Sequence, residues 1–237
     1  MSQKDTRGSH SVPAACLLTL AGGMLDAYTY IERGGVFANA QTGNTVKLGI
    51  YLAQGRHEEI LSLLIPIASF ILGTVAAAVL RRYMKRRNIR FLYRGTIVLE
   101  ILTILTAAFL PHSSVGDRIA NCLISFACAI QTETFKRFSG QIVATTVSTG
   151  NLRKTVEFAF DALYDRDMES FRNSLLFFLF VFLFVSGAWL QTCLTGISAY
   201  SVLFTLFPLS LCILLITRRM KLPSSVHKPQ ATDADTQ

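Results

Sequence analysis

The chain of 237 residues is 51% hydrophobic and only 16% charged, with a formal net charge of +8; soluble domains carry roughly 25% charged residues. The apolar residues gather into runs of about 20, long enough to cross ~30 Å of hydrocarbon. That excludes a soluble enzyme or a nucleic-acid-binding domain as the leading reading. The positive charge sits between the runs, as in the loops of an integral membrane protein whose first partner is the lipid bilayer.

In chain order, residues 1–11 are polar and read as a mobile cytoplasmic tail. Ala14-Ala15-Cys16 faintly resembles a lipoprotein cleavage site, but there the apolar region precedes the cysteine and here it comes after. The first apolar run also continues past any small-residue cleavage point, which argues against a removed signal peptide. Six spans are predicted, at Val12–Ile31, Ile60–Leu80, Phe91–Leu110, Ile119–Phe135, Ser174–Leu194 and Ile197–Ile216. They form a single transmembrane domain over 12–217, with a basic and then disordered cytoplasmic tail over 218–237.

Lys and Arg set the orientation. Arg81 to Arg94 after the second span, Lys136 to Arg172 between the fourth and fifth, and both tails hold nineteen of the 23 basic residues. Arg33, Lys47, Arg56 and Arg118 fall on the other side. Both termini are therefore expected in the cytoplasm.

A weak internal repeat runs through this pattern. Gly34 to Asn44 matches Gln141 to Asn151, with Thr42-Gly43-Asn44 and Thr149-Gly150-Asn151 lying 107 positions apart. At the same offset Asp26 falls on Glu133 and Tyr28 on Phe135, while Gly73 resembles Gly187 after a small insertion. Each half, about 12–110 and 119–217, thus has three spans and a Thr-Gly-Asn segment between its first and second. Three is odd, so the halves enter the membrane in opposite orientations. The expected fold is an all-α polytopic membrane protein of six transmembrane helices, a 3+3 inverted repeat with two interrupted or re-entrant Thr-Gly-Asn segments. Inverted repeats with broken helices are a ground plan of secondary transporters.

The triplets are the first candidate site. Thr and Asn favour helix N-caps and Gly a tight turn, and a helix start offers unpaired N–H groups and partial positive charge. Thr42, Gly43, Asn44, Thr149, Gly150 and Asn151 are therefore expected to bind a polar, even anionic, solute, with Gln131, Asn121 and Gln141 as further polar lining. The alternative is that both triplets are interfacial caps of surface helices.

Asp26, Glu100 and Glu133 lie in apolar runs, where a charge costs roughly 2.5–3.5 kcal/mol at a helix centre and so faces a cavity or a partner. They are the candidates for ion or proton coupling. Glu133 can instead pair with Lys136 or Arg137 one turn on, and Glu100 can serve as a hydrogen bond to a neighbouring helix. Gly73, Gly187 and Ala76-Ala77-Ala78 suit close helix packing.

Other chemistries lack their residues. The five cysteines form no C-x-x-C and read as buried structural thiols. The four histidines fall in tails or connections, which argues against a metal or haem site, and no phosphate-loop or dinucleotide motif occurs. Neither metal nor cofactor is expected, nor enzyme activity.

Gly23-Met24-Leu25-Asp26-Ala27, Gly35-Val36-Phe37 and the two Thr-Gly-Asn triplets together resemble the YoaK-type family of six-span bacterial membrane proteins of unknown function. The resemblance covers residues 12–217 and implies a bacterial inner-membrane location. The family pattern Gly-x-Gln-Asn in the fourth span is here Ala129-Ile130-Gln131-Thr132, which keeps only the Gln. The expected function is a small secondary transporter or permease for a polar metabolite held near the midplane between the repeats, with a symmetric homodimer as its expected assembly. The alternative is a non-transporting scaffold or regulatory subunit, with Arg81–Arg94 as a lipid or protein contact.

Overall fold

A computed structural model describes residues 12–84, 89–138, 141–142 and 148–219. Its elements in order are α1 (Val12–Glu32), α2 (Gln41–Ala53), α3 (His57–Met84), α4 (Ile89–Phe109), α5 (Ser114–Thr134), a two-residue antiparallel ladder β1 (Arg137–Phe138) with β2 (Gln141–Ile142), α6 (Ser148–Tyr164), α7 (Met168–Thr195), a 3₁₀ turn (Ser201–Thr205) and α8 (Leu206–Arg219). The terminal tails up to 11 and beyond 219, the basic stretch 85–88, residues 139–140 and residues 143–147 of the second repeat segment lie outside the described residues, as does the side chain of Gln141.

Among the described residues, four helices are long and apolar enough to cross a membrane: α1, α3, α4 and α7. The two other expected spans fall short for different reasons. α5 has 21 residues, but the polar Asn121, Ser125, Gln131 and Thr134, all buried inside the bundle, dilute its hydropathy. The last segment opens as a 3₁₀ turn and only then becomes the 14-residue α8.

Burial sorts the helices into inner and outer ones. Of its most apolar window α1 buries 67%, against 28% for α3 and 22% for α7. α1 packs on α7 and α8, α5 on α3 and α4, and α1 also meets α5. α4 reaches α8, while the shorter α2 lies on α3 and α6 on α7. Small residues allow the tightest crossings. A Cβ on Gly23 of α1 would strike the Phe184 carbonyl of α7, and one on Gly187 of α7 the Leu20 carbonyl of α1. Gly73 of α3 meets the Phe126 carbonyl and the Ala129 methyl of α5. Close packing is thus what both aligned glycines do.

The outer helices leave large apolar side chains on the surface: Leu61, Leu64, Leu72, Val75 and Val79 of α3, and Leu175, Phe178, Phe182, Val185 and Trp189 of α7 are all exposed. Such continuous faces are what a hydrocarbon solvent covers. The cysteines are free; Cys128 and Cys212 are buried, Cys16 and Cys122 half-buried. Cys193, expected to be buried, is exposed because it lies near the end of the outer helix α7.

Candidate functional site

The polar interior is assembled by the loop between α1 and α2. Gly34 and Gly35, with φ of 83° and 71°, turn the chain back along α1, a backbone conformation that side chains with a Cβ rarely adopt. The returning segment is stitched to α1: Ala38 N donates to Thr29 Oγ1 at 3.1 Å and Asn39 N to Asp26 Oδ1 at 2.7 Å. The amides of Ala38 and Ala40 face the same carboxyl, and the Asn39 amide nitrogen donates to the Gly22 carbonyl at 3.4 Å. Asp26 thereby supplies the carboxyl group that serves the approach to the first repeat helix, a place where the sequence pattern suggests a solute.

The Thr-Gly-Asn triplets lie one step later than expected. α2 begins at Gln41 and α6 at Ser148, so both triplets form part of the first helical turn, and Ala40 makes no side-chain cap. The Asn44 side chain folds back on the preceding loop instead: its Oδ1 accepts from Phe37 N at 2.9 Å, and its Nδ2 donates to Phe37 O at 2.7 Å and Gln41 Oε1 at 2.9 Å. All of its donors and one acceptor lone pair are occupied, which makes Asn44 a clamp. Asn44 is the buried residue of α2 and Asn151 that of α6, whereas Thr42, Thr149 and Gly150 are exposed and Gly43 rests on the Phe37 ring.

Register brings three other candidates to one level. α1 and α5 are antiparallel neighbours pinned where Asn121 Nδ2 donates to Arg33 O at 2.8 Å. Two turns back along α1 is Asp26, and two turns on along α5 is Cys128. α4 and α5 are pinned at their other ends, where Thr96 Oγ1 donates to Thr134 Oγ1 at 3.3 Å; one turn on from Thr96 is Glu100, level with Ile130–Gln131. Cys128 accordingly lies beside Asn39 and within electrostatic range of both Glu100 and Asp26, and Glu100 also faces Cys212 of α8.

This level is fully buried and polar, yet its groups are spare. Asp26 Oδ2, Asn39 Oδ1, both oxygens of Glu100 and both polar atoms of the Gln131 amide have no hydrogen-bond partner among the described residues. Glu100 and Gln131 are 0% exposed. A buried amide or hydroxyl left without a hydrogen bond costs a few kcal/mol and a carboxylate more, so the arrangement fits a polar guest that supplies the missing partners.

Glu133 is elsewhere. At the end of α5 its carboxylate pairs with Arg81 of α3 at 2.8 Å and with Lys136 at 3.1 Å, and its backbone carbonyl accepts from the same guanidinium. The pairing with Lys136 is the alternative that the sequence leaves open.

Two residues are not singled out by sequence pattern. Asn39 lies in the repeat segment but outside the matched triplet, so nothing marks it. Arg33 reads from sequence only as a loop charge, but it is 1% exposed. Its guanidinium donates to Tyr28 Oη at 2.7 Å and to the Ala107, Leu110 and Pro111 carbonyls at 2.7, 3.2 and 3.3 Å, and pairs with Asp117 at 3.1 Å. It is a buried cation on the C-terminal end of α4, where the helix dipole favours it.

Residues 14–217 match the family described as protein of unknown function (DUF1275). The chain belongs to that family. It is also similar to the UPF0700 transmembrane protein YoaK of Bacillus subtilis (strain 168), 26% identical over 176 residues that span 73% of this chain and 78% of the relative. No solved structure matches the chain. Helical architecture, exposed apolar faces and the transmembrane relative agree that this is a helical membrane protein.

Proposed function

We propose that the chain is a small secondary transporter for a polar metabolite, held between α1, α4 and α5 by Asp26, Asn39, Glu100 and Gln131. The observation that carries the reading is the set of spare, buried polar atoms on three facing helices. Polar groups are retained inside a membrane bundle where they meet a solute, an ion or one another. Asp26 and Glu100 are the coupling candidates; Glu133 is left out, its carboxylate being engaged by Arg81 and Lys136.

The packing supports six spans in two inverted halves. Exchanging α1, α2, α3 and α4 with α5, α6, α7 and α8 turns the α3–α5 contact into α7–α1, α2–α3 into α6–α7 and α4–α5 into α8–α1, and each of these pairs packs together. Gly73 and Gly187 take corresponding places in the first exchange, and Asn44 and Asn151 are the buried residues of corresponding helices. On this reading α5 and the 3₁₀ turn with α8 complete the six, in a bacterial inner membrane with both termini cytoplasmic.

Thermal unfolding of the detergent-purified chain against a metabolite panel tests the binding, since a solute that binds only the folded state raises the melting temperature by mass action. A rise in the wild type that is absent from folded Gln131→Leu, together with uptake of the same solute into proteoliposomes, is the expected outcome. No shift across a broad panel and no uptake would refute the reading and leave a protein partner as the next thing to seek.

A further inference from the structure

The spare atoms at the central level are unequal in kind. Counted with both carboxyl groups ionised, Asp26 Oδ2, Asn39 Oδ1, Glu100 Oε1 and Oε2 and Gln131 Oε1 are acceptors, and Gln131 Nε2 is the single spare donor among these four side chains. The imbalance does not depend on how the amides are oriented. Asn39 is fixed by its donation to Gly22 O, and flipping Gln131 leaves one donor and one acceptor. Two of the four residues carry carboxyl groups. The buried cation just beyond α1, Arg33, is about two turns from Asp26 and engaged by α4 carbonyls and Asp117.

We infer that this level is a cation site: Asp26, Asn39, Glu100 and Gln131 bind a small monovalent cation through acceptor oxygens converging from α1, the α1–α2 loop, α4 and α5. An ammonium or primary amine headgroup would donate its N–H groups to these oxygens, and an alkali ion would take them as hard ligands; positive charge and a need for oxygen acceptors are common to both. An anionic solute, which the helix starts suggest from sequence, meets two carboxyl groups here, and Asp26 already occupies the amides of the loop leading into α2. The inference rests on the transport reading only for the use to which the site is put.

Its test is thermal unfolding of the full-length protein in detergent with ammonium, methylammonium or sodium chloride. N-methylglucamine chloride controls for ionic strength, and acetate and phosphate are added as N-methylglucamine salts. A saturable stabilisation by one of the three cations is expected, with a half-saturating concentration at least about tenfold higher in Glu100→Gln and in Gln131→Leu, a loss of some 1.4 kcal/mol. Saturation by ammonium and methylammonium identifies an amine site; saturation by sodium alone identifies an alkali-ion site. Should neither variant fold, nitrogen-labelled wild-type protein must show the Gln131 side-chain amide signal moving with the same half-saturation. No saturable effect of any cation beyond N-methylglucamine, an effect unchanged in folded variants, an unmoved Gln131 signal, or saturation by acetate or phosphate instead would each overturn the site. Cation binding without uptake into proteoliposomes leaves the site standing and removes transport. Uptake of an anionic or neutral solute with no cation dependence keeps transport and removes the site.

Discussion

Arg33 shows what a single buried charge does in this bundle. It sits just beyond the end of α1, and its guanidinium spans Tyr28, the last carbonyls of α4 and Asp117 at the start of α5, so it fixes the angle at which three helices meet. Removing one member of a buried pair leaves the other partners without their donor, at a cost of about 3–5 kcal/mol. Arg33→Met is therefore expected to lower the apparent melting temperature sharply in a detergent thermal scan. Arg33→Lys should recover only part of the loss, because an ammonium cannot repeat the planar fork that reaches several carbonyls at once. Arg153→Ala, which removes an exposed i,i+4 pair with Glu157, should leave the scan unchanged, since such pairs contribute little. A melting temperature unaffected by Arg33→Met would show that the three helix ends are held by other contacts. None of this is legible in the sequence, because position after a span identifies a basic loop residue but not the carbonyls it will find. Asp26 and Glu100 are legible, as carboxyls interrupting apolar runs. Asn44 stands out for a sound reason, its place in the repeat, but its bonds to Phe37 leave it little capacity for the solute binding that the pattern suggests.

At the scale of elements, the α1–α7 crossing depends on the absence of two side chains. Gly23→Ala and Gly187→Ala each place a methyl against the facing helix backbone, so the helices must separate along a seam that also buries Leu18, Phe177 and Phe180; overpacking of this kind costs typically 1–3 kcal/mol. Gly49→Ala in α2, where an added Cβ meets nothing within 4 Å, should instead stabilise by about 0.5–1 kcal/mol through helix propensity. A thermal scan in which all three variants move the same way would refute the crossing. The start of α7 carries a pH-dependent element. The Ser170 hydroxyl first, and then the Glu169 and Ser170 amides that donate to Asp167 at 3.0 and 2.9 Å, hold its carboxyl below the ordinary value of 3.8. Its pKa is lower in the folded chain, so the cap's contribution is complete at neutral pH and is lost as pH falls through the depressed value. Asp167→Ala should therefore melt below wild type at pH 7, with the gap closing as the pH drops under about 4; a constant gap would mean that the cap is not what the substitution removed. The ends of the six expected spans are legible to within four residues, because apolar runs stop locally. The starts of α5, α7 and α8 lie five, six and nine residues from those expected, since polar first turns and a 3₁₀ entry leave no apolar signal. That α5 is an inner helix is not legible, since its polar residues are explained only by neighbours far away in sequence.

For the whole molecule, the proposed orientation is argued from charge and depth together. α1 and α5 occupy the interior while α3 and α7 turn their apolar faces outward. Arg33–Asp117 closes one end of the bundle, and Arg81, Glu133 and Lys136 meet near the other. Arg81 at that second end opens the basic stretch 81–94 in the sequence, and the asymmetry of Lys and Arg in membrane loops is the argument for a cytoplasmic face there. On the proposed orientation the Arg33 end faces outward, and with it the C-terminal end of α7, tied to Glu32 through Thr195 at 2.8 Å. Cys193 lies two positions before Thr195 and is the exposed one of the five cysteines. It is thus a native reporter: a membrane-impermeant maleimide added to spheroplasts should label the protein, Cys193→Ser should abolish the labelling, and sealed inside-out vesicles should be protected until detergent is added. The reverse pattern, with labelling only from the cytoplasmic face, would invert the whole assignment. Because each half has an odd number of spans on this reading, inversion would carry Asp167 and the start of α7 to the outside together with both tails. The same experiment with a cysteine introduced at Asp165 checks this independently, since residues 165 and 193 lie near opposite ends of one helix and must give opposite results.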